Sequence, residues 1–187
     1  MSDDERRAPD KIRISKLQEA QIEALMIIDR AAAEMYYELG FDGAEVPIRT
    51  EQDFYRLPRD HAVRVAEADH EVAGYAAWRD EAPGVAYLEE LSVHPDYQRF
   101  GVATKLLQRV LEEARENGFP ALVLRAWDKA AWAQRFYEKH GFRPLGDDAP
   151  EKAREWLAEK TADGRPFLRP GERAMCLAIT KPDDDDE

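Results

Sequence analysis

Apolar residues recur at Ile22, Leu25, Ile28, Ala32, Met35 and Leu39, the spacing of one helix face, and Gly40 supplies a stop. Ser15 and Gln18 stand at capping-box spacing ahead of that helix, after a short strand at residues 12–14. Residues 41–60 read as irregular except for a short helix near 51–57. The period then falls to two. Val63 and Val65 alternate with Arg64 and Ala66 in a strand over 62–68, and a second strand covers 72–79, with Asp69-His70-Glu71 as the hairpin turn. Pro83-Gly84 turns the chain into a third strand, 85–93, which Pro95 ends. A helix follows from near Gly101, its buried face made by Val102, Ala103, Leu106, Leu107, Val110, Leu111 and Ala114, and Asn117-Gly118 ends it. Residues 121–126 read as a buried strand. Asp128 is placed to cap a helix whose stripe is Trp132, Ala133, Phe136 and Tyr137, closed by Gly141. A short strand after Phe142, a charged helix near 151–159, a Pro/Gly-rich loop and a strand at 173–179 complete the pattern.

Hairpins followed by strand–helix alternation predict an α/β (α+β) fold, a mixed sheet with helices on both faces. A chain of 187 residues suits one domain. That domain is expected over 11–180, with a flexible arm at 1–10 and an acidic, disordered tail at 181–187. No apolar run approaches the roughly 20 residues that span a bilayer, and the charged N-terminus lacks an apolar signal core. A cytoplasmic protein with no membrane partner is expected. The formal charge of −12 argues against nucleic acid as the main partner and favours cationic ones such as amines. Cys176 is the one cysteine, expected to be packed in a strand. No Cys or His pair has zinc-ligand spacing, and His61, His70, His94 and His140 are scattered, so no metal is expected.

The most informative stretch runs from Tyr87 to Ala103, where a strand enters a tight loop that opens an amphipathic helix. The first amides of a helix have no partners within it, and with the helix dipole they form an anion site. Gly101 has no side chain to obstruct a pyrophosphate approaching the backbone, and Ala103 keeps the next approach narrow. The loop lacks the lysine of a Walker loop and the three glycines of a dinucleotide fold.

Gln98, Gly101 and Ala103 resemble the acetyl-CoA signature of the GNAT N-acetyltransferase superfamily, a Gln or Arg followed after two residues by Gly-x-Gly/Ala. A second resemblance lies in residues 127–142, at Ala133, Phe136, Tyr137, Gly141 and Phe142. Ala130 departs from the family pattern, which commonly has Asn there to contact the pantetheine arm. The resemblance implies a central mixed, mostly antiparallel sheet of about seven strands. It implies acetyl-CoA as co-substrate. Leu91, Ser92 and Val93 would pair with pantetheine, the Val93 N–H would face the thioester oxygen, Gln98 would belong to the cofactor site, and the loop amides of Arg99, Phe100, Gly101, Val102, Ala103 and Thr104 would hold the pyrophosphate.

The implied reaction is acetyl transfer to a primary amine of a small molecule or peptide, by direct attack in a ternary complex. It needs a neutral amine, a polarised carbonyl and a proton for the departing thiolate. Strand alternation puts Glu89 on the face of Leu91 and Val93, which makes it a candidate base. Glu90 is a second candidate, for base or amine binding. The resemblance makes Tyr137 the candidate acid, whereas His94 reads as a strand-end residue before proline. Candidates around the acceptor are Glu34, Tyr36, Tyr37 and Asp42, with Trp156, Arg165 and Arg169 in the segment 147–173. That segment is long for a connector and suggests a lid or a homodimer contact. The rival reading is an acyl-CoA-binding sensor or interaction domain without turnover.

Overall fold

A computed structural model describes residues 8–162 and 167–179. The acidic tail, most of the N-terminal arm and Arg165 lie outside the described residues. In chain order the elements are β1 (Ile12–Lys16), α1 (Ile22–Glu38), α2 (Glu51–Asp60), β2 (Ala62–Ala68), β3 (Glu71–Ala82), β4 (Val85–Val93), α3 (Val102–Glu116), β5 (Ala121–Trp127), α4 (Ala131–Lys139), β6 (Arg143–Pro144), α5 (Glu151–Thr161) and β7 (Glu172–Ala178). The strands form one mostly antiparallel, seven-stranded sheet in the order β1-β2-β3-β4-β5-β7-β6, flanked by helices. β4 pairs with β5 in parallel, from Val85↔Ala121 to Tyr87↔Val123. The chain forms two compact units, residues 8–78 with Glu90–Val110, and Arg79–Glu89 with the chain from Leu111 onward.

In the first unit, Ile22, Leu25 and Ile28 of α1 and Phe54 and Leu57 of α2 pack on Val63, Val65, Tyr75 and Ala77 of the sheet. Phe54 meets Tyr75 edge to face, ring centroids 6.1 Å apart, a geometry that aromatic quadrupoles favour. The buried stripe of α1 passes through Asp29 to Ala33, and Leu39 is exposed. The expectation for Ala32 and Leu39 is therefore corrected: a period of 3.6 carries the stripe from Asp29 to Ala33. The capping expectation is corrected too. Pairing of β1 with β2 continues to Lys16↔Arg64, which draws Ser15 into the strand opposite Val65. Its hydroxyl is buried without a partner. Gln18 does the capping instead, its N–H donating to Gln21 Oε1 at 3.0 Å. α2 is longer than expected and runs to Asp60 with Pro58 inside it. A proline in the last turn removes just one donor from the ladder.

The second unit packs Val85 and Tyr87 of β4 with Ala121 and Val123 of β5, Cys176 of β7, and Ala153 and Trp156 of α5. Phe167 closes on Trp156 and Tyr87, with centroids 5.0 and 6.5 Å away. Cys176 is buried in its strand, and burial pushes its thiol up to about 11, which keeps it protonated. The stripe of α4 differs from expectation. Ala133 is buried and Phe136 and Tyr137 are half-buried, but Trp132 is 42% exposed. Nor does Asp128 cap that helix, whose N-cap is Ala130. The Asp128 carboxylate accepts from Gln134 at 3.2 Å and pairs with Arg173, so a charged partner from β7 takes it away from the helix amides.

One glycine is set by close approach. A methyl group on Gly74 of β3 would stand 2.7 Å from the Ser92 carbonyl oxygen and 3.1 Å from Val93 Cγ2. The His94 N–H donates to the Ala73 carbonyl at 2.9 Å beside it. Gly74→Ala is expected to destabilise the fold by about 1–3 kcal/mol, the usual cost of overpacking. Urea denaturation would read this as a lower midpoint at unchanged slope. A midpoint equal to wild type would show that β3 and β4 can separate freely here.

Candidate active site

β4 delivers the chain to the loop that opens α3. Pro95–Tyr97 form a single 3₁₀ turn, whose N-cap His94 accepts from the Asp96 N–H through Nδ1 at 3.3 Å. This is the structural role expected for a residue before proline. Gln98 reaches back, its amide nitrogen donating to the Val93 carbonyl at 3.2 Å and lying 3.0 Å from Met35 Sδ. Arg99 and Gly101 both take left-handed backbone angles, φ 68° and 84°. The first bond of the α3 ladder runs from the Lys105 N–H to the Gly101 carbonyl at 3.0 Å. The amides of Val102 and Ala103 thus precede the ladder, at the positive end of the helix dipole. A side chain on Gly101 would meet no atom within 4 Å, so open space lies against the backbone there. Arg99 and Gly101 are exposed, Phe100, Ala103 and Thr104 half-buried, and Val102 is buried. What the loop offers an anion is main-chain N–H, and Gly101 leaves the approach clear.

Towards the end of β4, Glu89, Glu90 and Leu91 are half-buried and Ser92 and Val93 are both buried. The Ser92 hydroxyl donates to Glu90 Oε1 at 2.7 Å. Arg49 Nη1 bridges Glu90 Oε2 at 2.8 Å and Asp29 Oδ1 at 2.9 Å. Asp29 also accepts from the Arg49 backbone N–H at 3.1 Å and from the Tyr75 hydroxyl at 3.0 Å. The carboxylate on the buried stripe of α1 is therefore fully engaged. Burial, reinforced by the charges of Glu90 and Asp29, raises the Tyr75 pKa well above its usual value. Burial and the charge of Glu90 do the same for Tyr36. Both phenols stay protonated.

In the second unit Glu89 pairs with Arg79 Nη1 at 2.5 Å. Arg79 Nη2 also holds Glu81 at 2.7 Å, and its guanidinium lies 5.0 Å from the centre of the Tyr87 ring. Burial opposes the charge of Arg79, but Glu89 and Glu81 outweigh it and raise its pKa. The Tyr87 hydroxyl accepts from Arg125 Nε at 2.8 Å. Tyr137 is half-buried on α4, edge-on to Phe136 at 5.4 Å and to Phe142 at 5.6 Å.

The expected acceptor residues fall in both units. Glu34 is exposed on α1. The Tyr37 hydroxyl donates to the Val46 carbonyl at 2.8 Å. Asp42 accepts from the amides of Ala44 and Glu45 at 2.8 and 2.9 Å. Trp156 is a core residue, 2% exposed, and the Arg169 N–H donates to Glu172. Asp29, Arg49, Tyr75 and Arg79 did not stand out in the sequence. Asp29 alone carried a signal, an acid directly after Ile28 on an apolar helix stripe. Among the described residues no cluster of side chains has the make-up of a metal site.

Residues 25–142 match the acetyltransferase (GNAT) family, which is more than half of the chain. The chain belongs to that family. It is 42% identical over 59 residues to streptothricin acetyltransferase A of Bacillus subtilis, covering 32% of this chain and 34% of that protein. It is 32% identical over 91 residues to the probable N-acetyltransferase camello of Xenopus tropicalis, covering 48% and 42%. The chain thus spans less than half the length of these relatives. Its fold is that of the PaiA N-acetyltransferase of Thermoplasma acidophilum in complex with coenzyme A, at a TM-score of 0.70 and 18% identity over 90% of this chain and 99% of the other. The acetyltransferase yncA of Salmonella typhimurium, solved with acetyl-CoA, aligns at 0.64 with 20% identity over 95% and 99%.

Glu81 carries a pH dependence. Its burial raises the carboxyl pKa, but Lys160, Arg79 and Trp156 together hold it below the ordinary 4.5. Lys160 Nζ is 2.6 Å away. A depressed folded pKa contributes stability that is present above the unfolded value and lost as pH falls through the folded one. Glu81→Gln should therefore be less stable than wild type at pH 7. In urea unfolding the gap should narrow once pH drops below 4.5. A gap independent of pH would mean that the carboxylate adds nothing by its charge.

Proposed function

We propose that this protein is an acetyl-CoA-dependent N-acetyltransferase acting on a primary amine by direct attack in a ternary complex. The observation that carries this is the loop into α3, where left-handed Arg99 and Gly101 leave open space over unladdered helix amides. An approaching pyrophosphate fits such a place, because a Cβ on Gly101 would intrude on it and the first main-chain amides of a helix lie beside it. Acetyl-CoA supplies the acetyl group as a reactive thioester. The backbone from Arg99 to Thr104 binds its pyrophosphate, with Gln98 beside it in the cofactor site, and Leu91, Ser92 and Val93 align its arm. The Val93 N–H polarises the carbonyl. Glu89 takes the proton of the attacking amine, directly or through water, and Tyr137 gives its own to the departing sulfur. Glu90, with Glu34 and Tyr37, serves the acceptor. The relatives named as N-acetyltransferases and the neighbours solved with coenzyme A and acetyl-CoA support the reading. We further infer action in the cytoplasm, which suits a chain with one cysteine.

The second reading, a binding domain without turnover, is favoured by the ion pairing of both Glu89 and Glu90. Release of free CoA in an amine screen decides between them.

Acetyl-CoA at about a hundred times its dissociation constant should stabilise the fold by roughly 2.7 kcal/mol. A thermal shift would show it. Gly101→Glu should abolish the shift through bulk and like charge while the protein stays folded. A retained shift in that variant would move the cofactor elsewhere. Tyr137→Phe keeps the ring and removes the proton. Its affinity for acetyl-CoA should hold while turnover falls by about 10²–10⁴, as for a lost general acid. Turnover near wild type would make Tyr137 a packing residue.

A further inference from the structure

We infer that Arg49 is a positioning residue for the acceptor: anchored on Asp29, it holds the Glu90 carboxylate in the orientation that receives the acceptor's ammonium group. This rests on the acetyltransferase reading and adds to it the class of acceptor, a cationic alkylamine.

The two ends of the Arg49 bridge are unlike. The Asp29 side chain is 8% exposed and takes donors from Tyr75, from the Arg49 main chain and from the Arg49 guanidinium. It is satisfied without help from any ligand. The Glu90 side chain is 24% exposed, and each of its oxygens has one donor, Ser92 on Oε1 and Arg49 on Oε2. Carboxylate oxygens have two lone pairs each, so Glu90 is fixed in orientation and still able to accept. The arrangement runs from a buried anion with three donors through a guanidinium to a more exposed one with two. A pair serving stability alone has no need of that gradient. Fixing a carboxylate beforehand spares a bound ammonium the rotamer entropy of ordering it.

Charge selects the acceptor. Two carboxylates and one guanidinium sum to one negative charge, and the Tyr36 and Tyr75 phenols beside them are neutral. An ammonium group completes the balance. A carboxylate on the acceptor would restore the excess, and the guanidinium is already shared between two anions.

The test is a double-mutant cycle with steady-state kinetics, reading free thiol from acetyl-CoA. 1,5-Diaminopentane is the acceptor, with glycine and lysine, which both carry a carboxylate, as comparators. Glu90→Gln should raise the KM for the diamine roughly tenfold or more, in line with losing a hydrogen bond to a charged group, and leave the KM for acetyl-CoA unchanged. Arg49→Met should do the same, and Arg49→Lys should recover part of the loss. In the Glu90→Gln background neither Arg49 variant should add anything, because Arg49 acts through Glu90. If Arg49→Met is not folded, the cycle with Arg49→Lys tests the same coupling. Equal effects of Arg49 substitution in both backgrounds, or a diamine KM within twofold of wild type, overturn the positioning role. A kcat/KM for glycine or lysine at or above that for the diamine overturns the acceptor class. Absence of an acetyl-CoA thermal shift in the wild-type protein, with no thiol released by any amine, overturns the transferase reading itself, and is distinguishable from both.

Discussion

Two carboxylates stand side by side near the middle of β4, and each needs a cation within reach. Each has its own, Arg79 for Glu89 and Arg49 for Glu90. Leaving either acid partly buried and unpaired would cost several kcal/mol. Much of the polar interior follows from that demand. Glu89 draws in Arg79, which needs Glu81 as a second anion and lies against the Tyr87 ring. Glu90 draws in Arg49, which needs Asp29, and Asp29 in turn takes the Tyr75 hydroxyl from the core of its unit. The network reaches from a strand to a helix and a loop, yet each member is there to satisfy its neighbour.

The elements were largely legible because they depend on local spacing. Val63 and Val65 against Arg64, or Leu106, Leu107 and Val110, carry their period within a few residues. The failures have the opposite origin. Ser15 was drawn into β1 by pairing with residues some fifty positions away. Asp128 was taken from its helix by Arg173 of β7. Trp132 shares a helix face with Phe136 by spacing, but the packing of α4 leaves it in solvent. Long-range partners decide such cases, and no window of sequence contains them.

The candidate site divides along the same line. A phosphate-binding loop is a matter of backbone shape, so a glycine at the right offset from a strand and a helix announces it, and Gly101 does take the left-handed angle. The acids of β4 could be named from alternation. What holds them could not, because Asp29, Arg49 and Tyr75 are separated by 20 to 46 residues from the groups they touch.

The stretch between α1 and α2 has a consequence for chain accessibility. A long irregular segment with an exposed tip is where proteases usually enter a folded protein. Here the Asp42 carboxylate gathers the amides of Ala44 and Glu45, the Tyr37 hydroxyl holds the Val46 carbonyl, and Asp29 takes both the main chain and the side chain of Arg49. A trypsin-like enzyme must have its target arginine extended and free in its specificity pocket. Arg49 meets that requirement only after the bridge between Asp29 and Glu90 has opened, so the rate of cleavage at this one peptide bond is a clock for how often the network comes apart.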